Sequence, residues 1–207
     1  MKRLLLLCGL CLAYTASAAP ALPYVELALN YGGLQTPDVD YRPSYSSSYN
    51  AAHQVGGIGF GVTAGYLFNS YQFHLAPDWR VGVEADYNQF ADNTYGYGFR
   101  TVTTQYTYSS YTISALGVVH YQNDAGWLAF LKGGATRVIQ TMKQRYSTQS
   151  IANFVPQITL GTGFQVTELI NLNVSYNYVM GETHDVSQNT MTAPLSYLAF
   201  TVNFSFA

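Results

Sequence analysis

Residues 171–178 read Asn-Leu-Asn-Val-Ser-Tyr-Asn-Tyr, with an apolar or aromatic side chain at every second position and a small amide or hydroxyl between. Period 2 marks an extended strand whose two faces meet different surroundings. The polar face here carries no charge, whereas a face turned to water normally carries Lys and Glu. A strand of this kind turns its apolar side to something other than a soluble core.

Seven other stretches follow the same grammar. Val25, Leu27, Leu29 and Tyr31 alternate with Glu26, Ala28, Asn30 and Gly32. Ile58, Phe60, Val62, Ala64, Tyr66 and Phe68 alternate with Gly57, Gly59, Gly61, Thr63 and Gly65. Trp79, Val81, Val83, Ala85 and Tyr87 oppose Arg80, Gly82, Glu84, Asp86 and Asn88. Tyr111, Ile113, Ala115, Val119 and Tyr121 oppose Thr112, Ser114, Leu116, Val118 and His120, a face only partly polar. Trp127, Ala129, Leu131 and Ala135 oppose Lys132, Gly134 and Thr136, with Leu128 and Phe130 out of keeping at the start. Phe154, Pro156, Ile158, Leu160, Thr162, Phe164 and Val166 oppose Gln157, Thr159, Gly161, Gly163 and Gln165. The last stretch sets Leu198, Phe200, Val202, Phe204 and Phe206 against Ala199, Thr201, Asn203 and Ser205.

Two irregularities carry expectations. Tyr106 and Tyr108 fall on even positions while Tyr111 and Ile113 fall on odd ones, so a bulge or strand end is expected near Ser109-Ser110. Pro156 cannot donate to a ladder and is expected to open its strand. Long connections are expected near 35–55, 91–107, 138–152 and 181–194, and short ones near 69–78, 122–125 and 167–170. Asn123-Asp124-Ala125-Gly126 has the residues of a tight turn.

Only 10% of residues are charged, against about 25% in soluble domains. After the first residues no run of 18 or more apolar residues exists, so strands rather than helices must do any spanning. In hydrocarbon all backbone polar groups must pair within the protein, so a spanning sheet closes on itself. The fold expected is all-β, an eight-stranded antiparallel up-and-down transmembrane β-barrel. A soluble lipocalin-like barrel would put the apolar faces inward, but its exterior would then be Gly, Ser, Thr, Asn and Gln with hardly a charge. Small neutral groups suit instead the narrow interior that eight strands enclose.

The chain opens with Lys2 and Arg3, an apolar run from Leu4 to Leu12 and Ala16-Ser17-Ala18, the layout of a cleavable signal peptide over 1–18, leaving a barrel domain over 19–207. Both cysteines, Cys8 and Cys11, lie in that leader, so no disulfide framework is expected. Without Lys2 and Arg3, seven basic residues face eleven acidic ones, a net charge of −4 that excludes nucleic acid as a natural partner. Nineteen tyrosines within an aromatic content of 15% suggest interfacial girdles. Tyr24, Tyr66, Trp79, Tyr121 and Trp127 are expected at the periplasmic ends, and Tyr31, Tyr87, Tyr111 and Tyr178 at the outer ends.

The segment Leu198-x-Phe200-x-Val202-x-Phe204-x-Phe206 resembles the C-terminal signal of outer-membrane barrels, with Ala207 following the expected final Phe. Residues 19–207 are similar in pattern to the OmpA-like and opacity-type eight-stranded barrels, as a barrel domain alone. The resemblance implies insertion by the barrel-assembly machinery into the Gram-negative outer membrane, among lipid and lipopolysaccharide.

Lumen-facing charges are few: Glu26, Arg80, Glu84, Asp86 and Lys132. Unpaired ions in a confined interior are costly, so Arg80 is expected to pair with Glu26 and Lys132 with Glu84. Arg137, Lys143 and Arg145 are positioned by sequence to meet lipopolysaccharide phosphates. The Tyr- and Ser-rich segment 41–49 is a candidate contact surface for a host or surface ligand. Four scattered histidines give no metal site, and no cofactor motif is present. Some similar barrels act on lipid A, but Ser114 and His120 are six residues apart on one strand, about 20 Å, and Glu182, His184, Asp185 and Ser187 form no deacylase motif. The sequence therefore reads as a non-enzymatic, monomeric outer-membrane protein, structural, with surface loops for adhesion or host interaction. A small narrow porin-like channel is the alternative, and a lipid A-modifying enzyme a remote one.

Overall fold

The computed structural model describes residues 22–34, 52–53, 57–68, 78–99, 102–144, 147–181, 192 and 194–206. The expected leader over 1–18, the segment 41–49, Arg145 and the group 182–187 lie outside the described residues.

Ten strands follow one another: β1 (Leu22–Leu34), β2 (Ala52–His53), β3 (Gly57–Leu67), β4 (Trp79–Gln89), β5 (Asn93–Phe99), β6 (Val102–Gln122), β7 (Trp127–Gln144), β8 (Ser147–Thr167), β9 (Ile170–Val179) and β10 (Leu195–Ser205). Eight of them form the wall in the ring order β1-β3-β4-β6-β7-β8-β9-β10, and β10 returns to β1. Every neighbouring pair in the ring is antiparallel, and the closing ladder runs from Tyr24↔Ser205 to Leu34↔Leu195. Closure leaves the membrane-embedded ladder without an edge, as hydrocarbon requires.

The expected facing holds along all eight stretches. Leu29, Ile58, Leu160 and Phe200, all on the expected outward faces, are 55, 68, 65 and 52% exposed. Asn30, Thr112, Thr136 and Thr159 on the opposite faces are almost fully buried. A soluble barrel would show the reverse.

Three expectations about connections are corrected. The region 91–107 is not simply a loop, because β5 pairs with the first part of β6 from Asn93↔Tyr108 to Phe99↔Val102, and β2 adds to β5. The region 138–152 is likewise ladder, since β7 and β8 stay paired up to Gln144↔Ser147. Strands thus continue past the wall. Third, β6 has no bulge at Ser109-Ser110: its pairing with β7 runs unbroken from Tyr106↔Gln144 to Gln122↔Leu128. The irregularity lies in the partner. Gln89 opposes Tyr111 and Asn93 opposes Tyr108, so three residues of the β4–β5 side face two of β6 where β6 changes partner.

Pro156 does not open β8 but sits inside it, opposite Ala135. Its carbonyl accepts from Met180 N–H at 2.9 Å, so its nitrogen faces the same side, where the β8–β9 ladder begins at Gln157↔Val179. Proline marks the point at which β8 gains its second partner, a place where no ladder donor is needed.

The tight turn forms as expected. Gly126 takes φ +84°, its N–H donates to Asn123 O at 3.0 Å, and Asn123 Oδ1 accepts from Trp127 N–H at 2.9 Å.

Candidate functional site

Inward positions of the eight wall strands build a lumen in three tiers. At the outer ends of the strands, Phe90, Val138, Val155, Val179, Leu195, Tyr197 and Ala199 form a buried apolar cluster. The Phe90 and Tyr197 rings meet edge to face with centroids 4.9 Å apart. Below it lies a network of amides and hydroxyls. Asn30 Nδ2 donates to Asn88 Oδ1 at 2.9 Å, and Thr136 and Ser114 hydroxyls donate to Gln157 Oε1 at 2.6 and 3.0 Å. Thr159 Oγ1 donates to Asn177 Oδ1 at 2.7 Å. Neutral groups so paired fill the interior without unpaired ions.

A crossbar of charge spans the next level. Lys132 Nζ lies 2.8 Å from Glu84 Oε2 and 3.1 Å from Glu26 Oε2. Glu26 Oε1 accepts from Asn203 Nδ2 at 3.0 Å, and the Tyr24 hydroxyl donates to Glu84 Oε1. Glu26, Glu84, Asp86 and Lys132 are all buried. The expected Lys132–Glu84 pair is therefore in contact, whereas no ion pair joins Arg80 to Glu26 among the described residues. Register explains the correction. Glu26 faces Thr63 and Thr63 faces Asp86, which places Glu26 in one cross-strand row with Asp86, six residues along β4 from Arg80. Counting depth from strand ends ignores the stagger that tilted strands acquire on closure.

Between crossbar and short turns is a cavity of about 500 Å³. Tyr24, His120, Asn171 and Asn173 line it, together with an apolar strip of Val118, Leu128 and Phe130. Leu128 and Phe130 thus point inward with Lys132, consistent with their even numbers and against the expectation of a polar lining. Space for the Phe130 ring comes from Gly161, where any Cβ would overlap it.

Tyr24 is corrected as well. It was expected in a girdle, but it shares a face with Glu26 and is 4% exposed inside the barrel; Gly65 opposite leaves room for its ring. The remaining girdle residues face outward or lie half-buried. Trp79 meets Tyr121 at 5.1 Å and Trp127 meets Phe164 at 5.4 Å between ring centroids, while Tyr87 and Tyr111 meet at 6.2 Å nearer the other rim.

Outside, Arg137 and Lys143 are exposed on the same face of β7. The Arg137 guanidinium carbon lies 5.9 Å from the centroid of the Phe154 ring. Among the residues named for chemistry, Ser114 is held by Gln157 and stands six residues from His120. The described residues contain no group of three or more His, Cys, Asp or Glu arranged to hold a metal.

A closed ring of eight antiparallel strands, aliphatic outside and amide-filled inside, defines a transmembrane β-barrel of the outer-membrane type. Residues 4–205 match the family described as outer membrane protein beta-barrel domain, and the chain belongs to that family. Solved structures with the same fold include Ail, the attachment invasion locus protein of Yersinia pestis, at 12% identity and TM-score 0.51 over 91% of this chain and 100% of that one. They also include the outer membrane protein OprG from Pseudomonas aeruginosa, at 11% identity and TM-score 0.54 over 91% and 96%. Neisserial surface protein A is similar at 15% identity and TM-score 0.50 over 90% and 97%. No curated protein matches the chain. Membership of the family places the protein in the outer membrane.

Proposed function

We propose that this barrel is a non-enzymatic structural protein of the outer membrane that carries an outward-facing sheet for adhesion or host contact, and that it does not conduct. The observation that carries this reading is the apolar cluster of Phe90, Val138, Val155, Val179, Leu195 and Tyr197 across the outer end of the lumen. An ion leaving water for such a constriction loses its hydration with nothing to replace it. The Lys132 crossbar adds a second obstruction below.

Support for the display role comes from the ladders that continue beyond the wall. β2, β5 and the adjoining parts of β6, β7 and β8 make one sheet that leads away from the barrel. Sheets of this kind hold loop tips in place, so binding costs less ordering entropy. The structurally similar Ail is named for attachment and has been solved with sucrose octasulfate, a heparin analogue. Arg137, Lys143 and Arg145 are proposed contacts for lipopolysaccharide phosphate, which would fix the barrel among its lipids. The C-terminal residues Leu198, Phe200, Val202, Phe204 and Phe206 are the proposed signal for the assembly machinery.

Two measurements test the reading. Purified protein in a planar bilayer is expected to give no steady conductance, and sustained opening would favour the narrow-channel alternative. Expressing cells should bind host cells or glycosaminoglycan surfaces through the 93–106 hairpin. Binding that survives deletion of this hairpin and of the 144–150 tip removes the adhesive role.

A further inference from the structure

The buried charges of the lumen do not balance. Glu26, Glu84 and Asp86 are 5, 5 and 8% exposed, and one ammonium, Lys132 at 7%, sits among them. Lys132 offsets one carboxylate, which leaves a formal excess of two acidic groups in a low-dielectric interior, where an uncompensated ion is expensive. Arg80 is only half-buried and forms no ion pair among the described residues. Directly beneath the crossbar is the cavity of about 500 Å³, within the range of small-ligand sites.

The cavity wall has three chemical zones. Glu26 and Glu84, with Lys132 between them, stand at its inner end, Val118, Leu128 and Phe130 line its middle, and Asp78, Asp124 and Glu168 stand near the short turns with Arg80 beside them, so that acidic groups outnumber basic ones at both ends. Asn173, 6% exposed, also lines it, and its Oδ1 has no hydrogen-bond partner. Phe130 already faces a cation, with Lys132 Nζ 4.9 Å from its ring centroid. Net negative charge, hydrocarbon and net negative charge in sequence are the complement of a flexible chain with an ammonium at each end.

We infer that this cavity is a binding site for a linear aliphatic di- or polyamine entering from the short-turn end. One ammonium sits beneath Glu26 and Glu84, and the methylene chain lies on Val118, Leu128 and Phe130. The other ammonium meets the carboxylates of Asp78, Asp124 and Glu168. The inner ammonium offsets one of the lumen's excess negative charges, and the outer one meets the acidic rim at the short turns. A metal dication offers no hydrocarbon for the apolar strip, and a neutral diol offers no charge.

Calorimetric titration of the folded barrel in zwitterionic micelles with spermidine tests the site, using magnesium and 1,6-hexanediol as controls at matched ionic strength. Saturable one-site binding of spermidine is expected, with no saturable heat from the diol. Affinity should fall at least tenfold in the exposed double variant Asp78→Asn/Glu168→Gln and in Glu84→Gln, each checked for folding by its gel shift on heating. Absence of spermidine binding by folded wild-type protein would mean that protons balance the lumen charge, and the inference fails. It fails equally if both variants bind as wild type does, or if magnesium competes at equal concentration. The proposal of a non-conducting scaffold stands or falls separately, on the conductance measurement.

Discussion

Lys132 reaches across the barrel to place its ammonium 2.8 Å from Glu84, a contact between β7 and β4, two strands apart in the ring. The same ammonium holds Glu26 on β1. One side chain therefore ties three strands together through the interior.

Removing that ammonium strands carboxylates whose burial persists. Lys132→Met is expected to destabilise the barrel by about 3–5 kcal/mol, the usual cost of breaking a buried pair from one side. Lys132→Met combined with Glu84→Gln and Glu26→Gln should recover much of the loss, because the double insult of charge and burial is relieved. Urea unfolding equilibria in lipid vesicles, followed by tryptophan fluorescence, measure both; a single variant as stable as wild type would mean that the crossbar contributes nothing.

Close approach of Phe130 to Gly161 sets a second test. Gly161→Ala puts a Cβ into the ring, and overpacking of this sort costs about 1–3 kcal/mol. Phe130→Leu shortens the opposing side chain, so the pair of changes should be less destabilising than Gly161→Ala alone. Additive losses in the double variant would show that the ring yields elsewhere.

How far the sequence spoke follows from what each surface demands. Hydrocarbon tolerates no polar face, so the outward set was legible from Val25 to Phe206 by alternation alone. The lumen makes a weaker demand, since it asks for small or paired groups and not for polarity. Leu128 and Phe130 therefore looked like errors of phase when they were inward residues opposite glycine. Tyr24 was assigned by its type to a girdle, although its even number already set it beside Glu26. The Arg80–Glu26 pairing failed because depth along one strand is not depth along the barrel. Toward the outer ends, the phase slip at Ser109-Ser110 and the adjacent apolar pair Val138-Ile139 interrupt the alternation that marks the wall, so the continuing ladders could not be read.

Depth in the bilayer governs a third prediction. Leu29 and Phe200 oppose each other on the lipid face away from either aromatic rim. Leu29→Lys should cost about 2–4 kcal/mol, while Tyr31→Lys near the rim should cost about 0–1 kcal/mol. Equal penalties at the two positions would count against the orientation of the wall.

The two tryptophans offer a test that needs no variant. Trp79 and Trp127 begin β4 and β7, are 44 and 58% exposed, and meet the rings of Tyr121 and Phe164 at a tilt and edge to face at the same rim. An indole at that rim keeps its ring in the acyl boundary and its N–H near water. In vesicles of brominated lipid, bromines placed close to the headgroup should quench this emission more than bromines at the bilayer centre. Were the rings facing the lumen instead, bromines at either depth would have little effect. Because both residues belong to the short-turn end, strongest quenching from the bilayer centre would move the membrane along the wall toward that end and leave the proposed polyamine mouth buried in lipid.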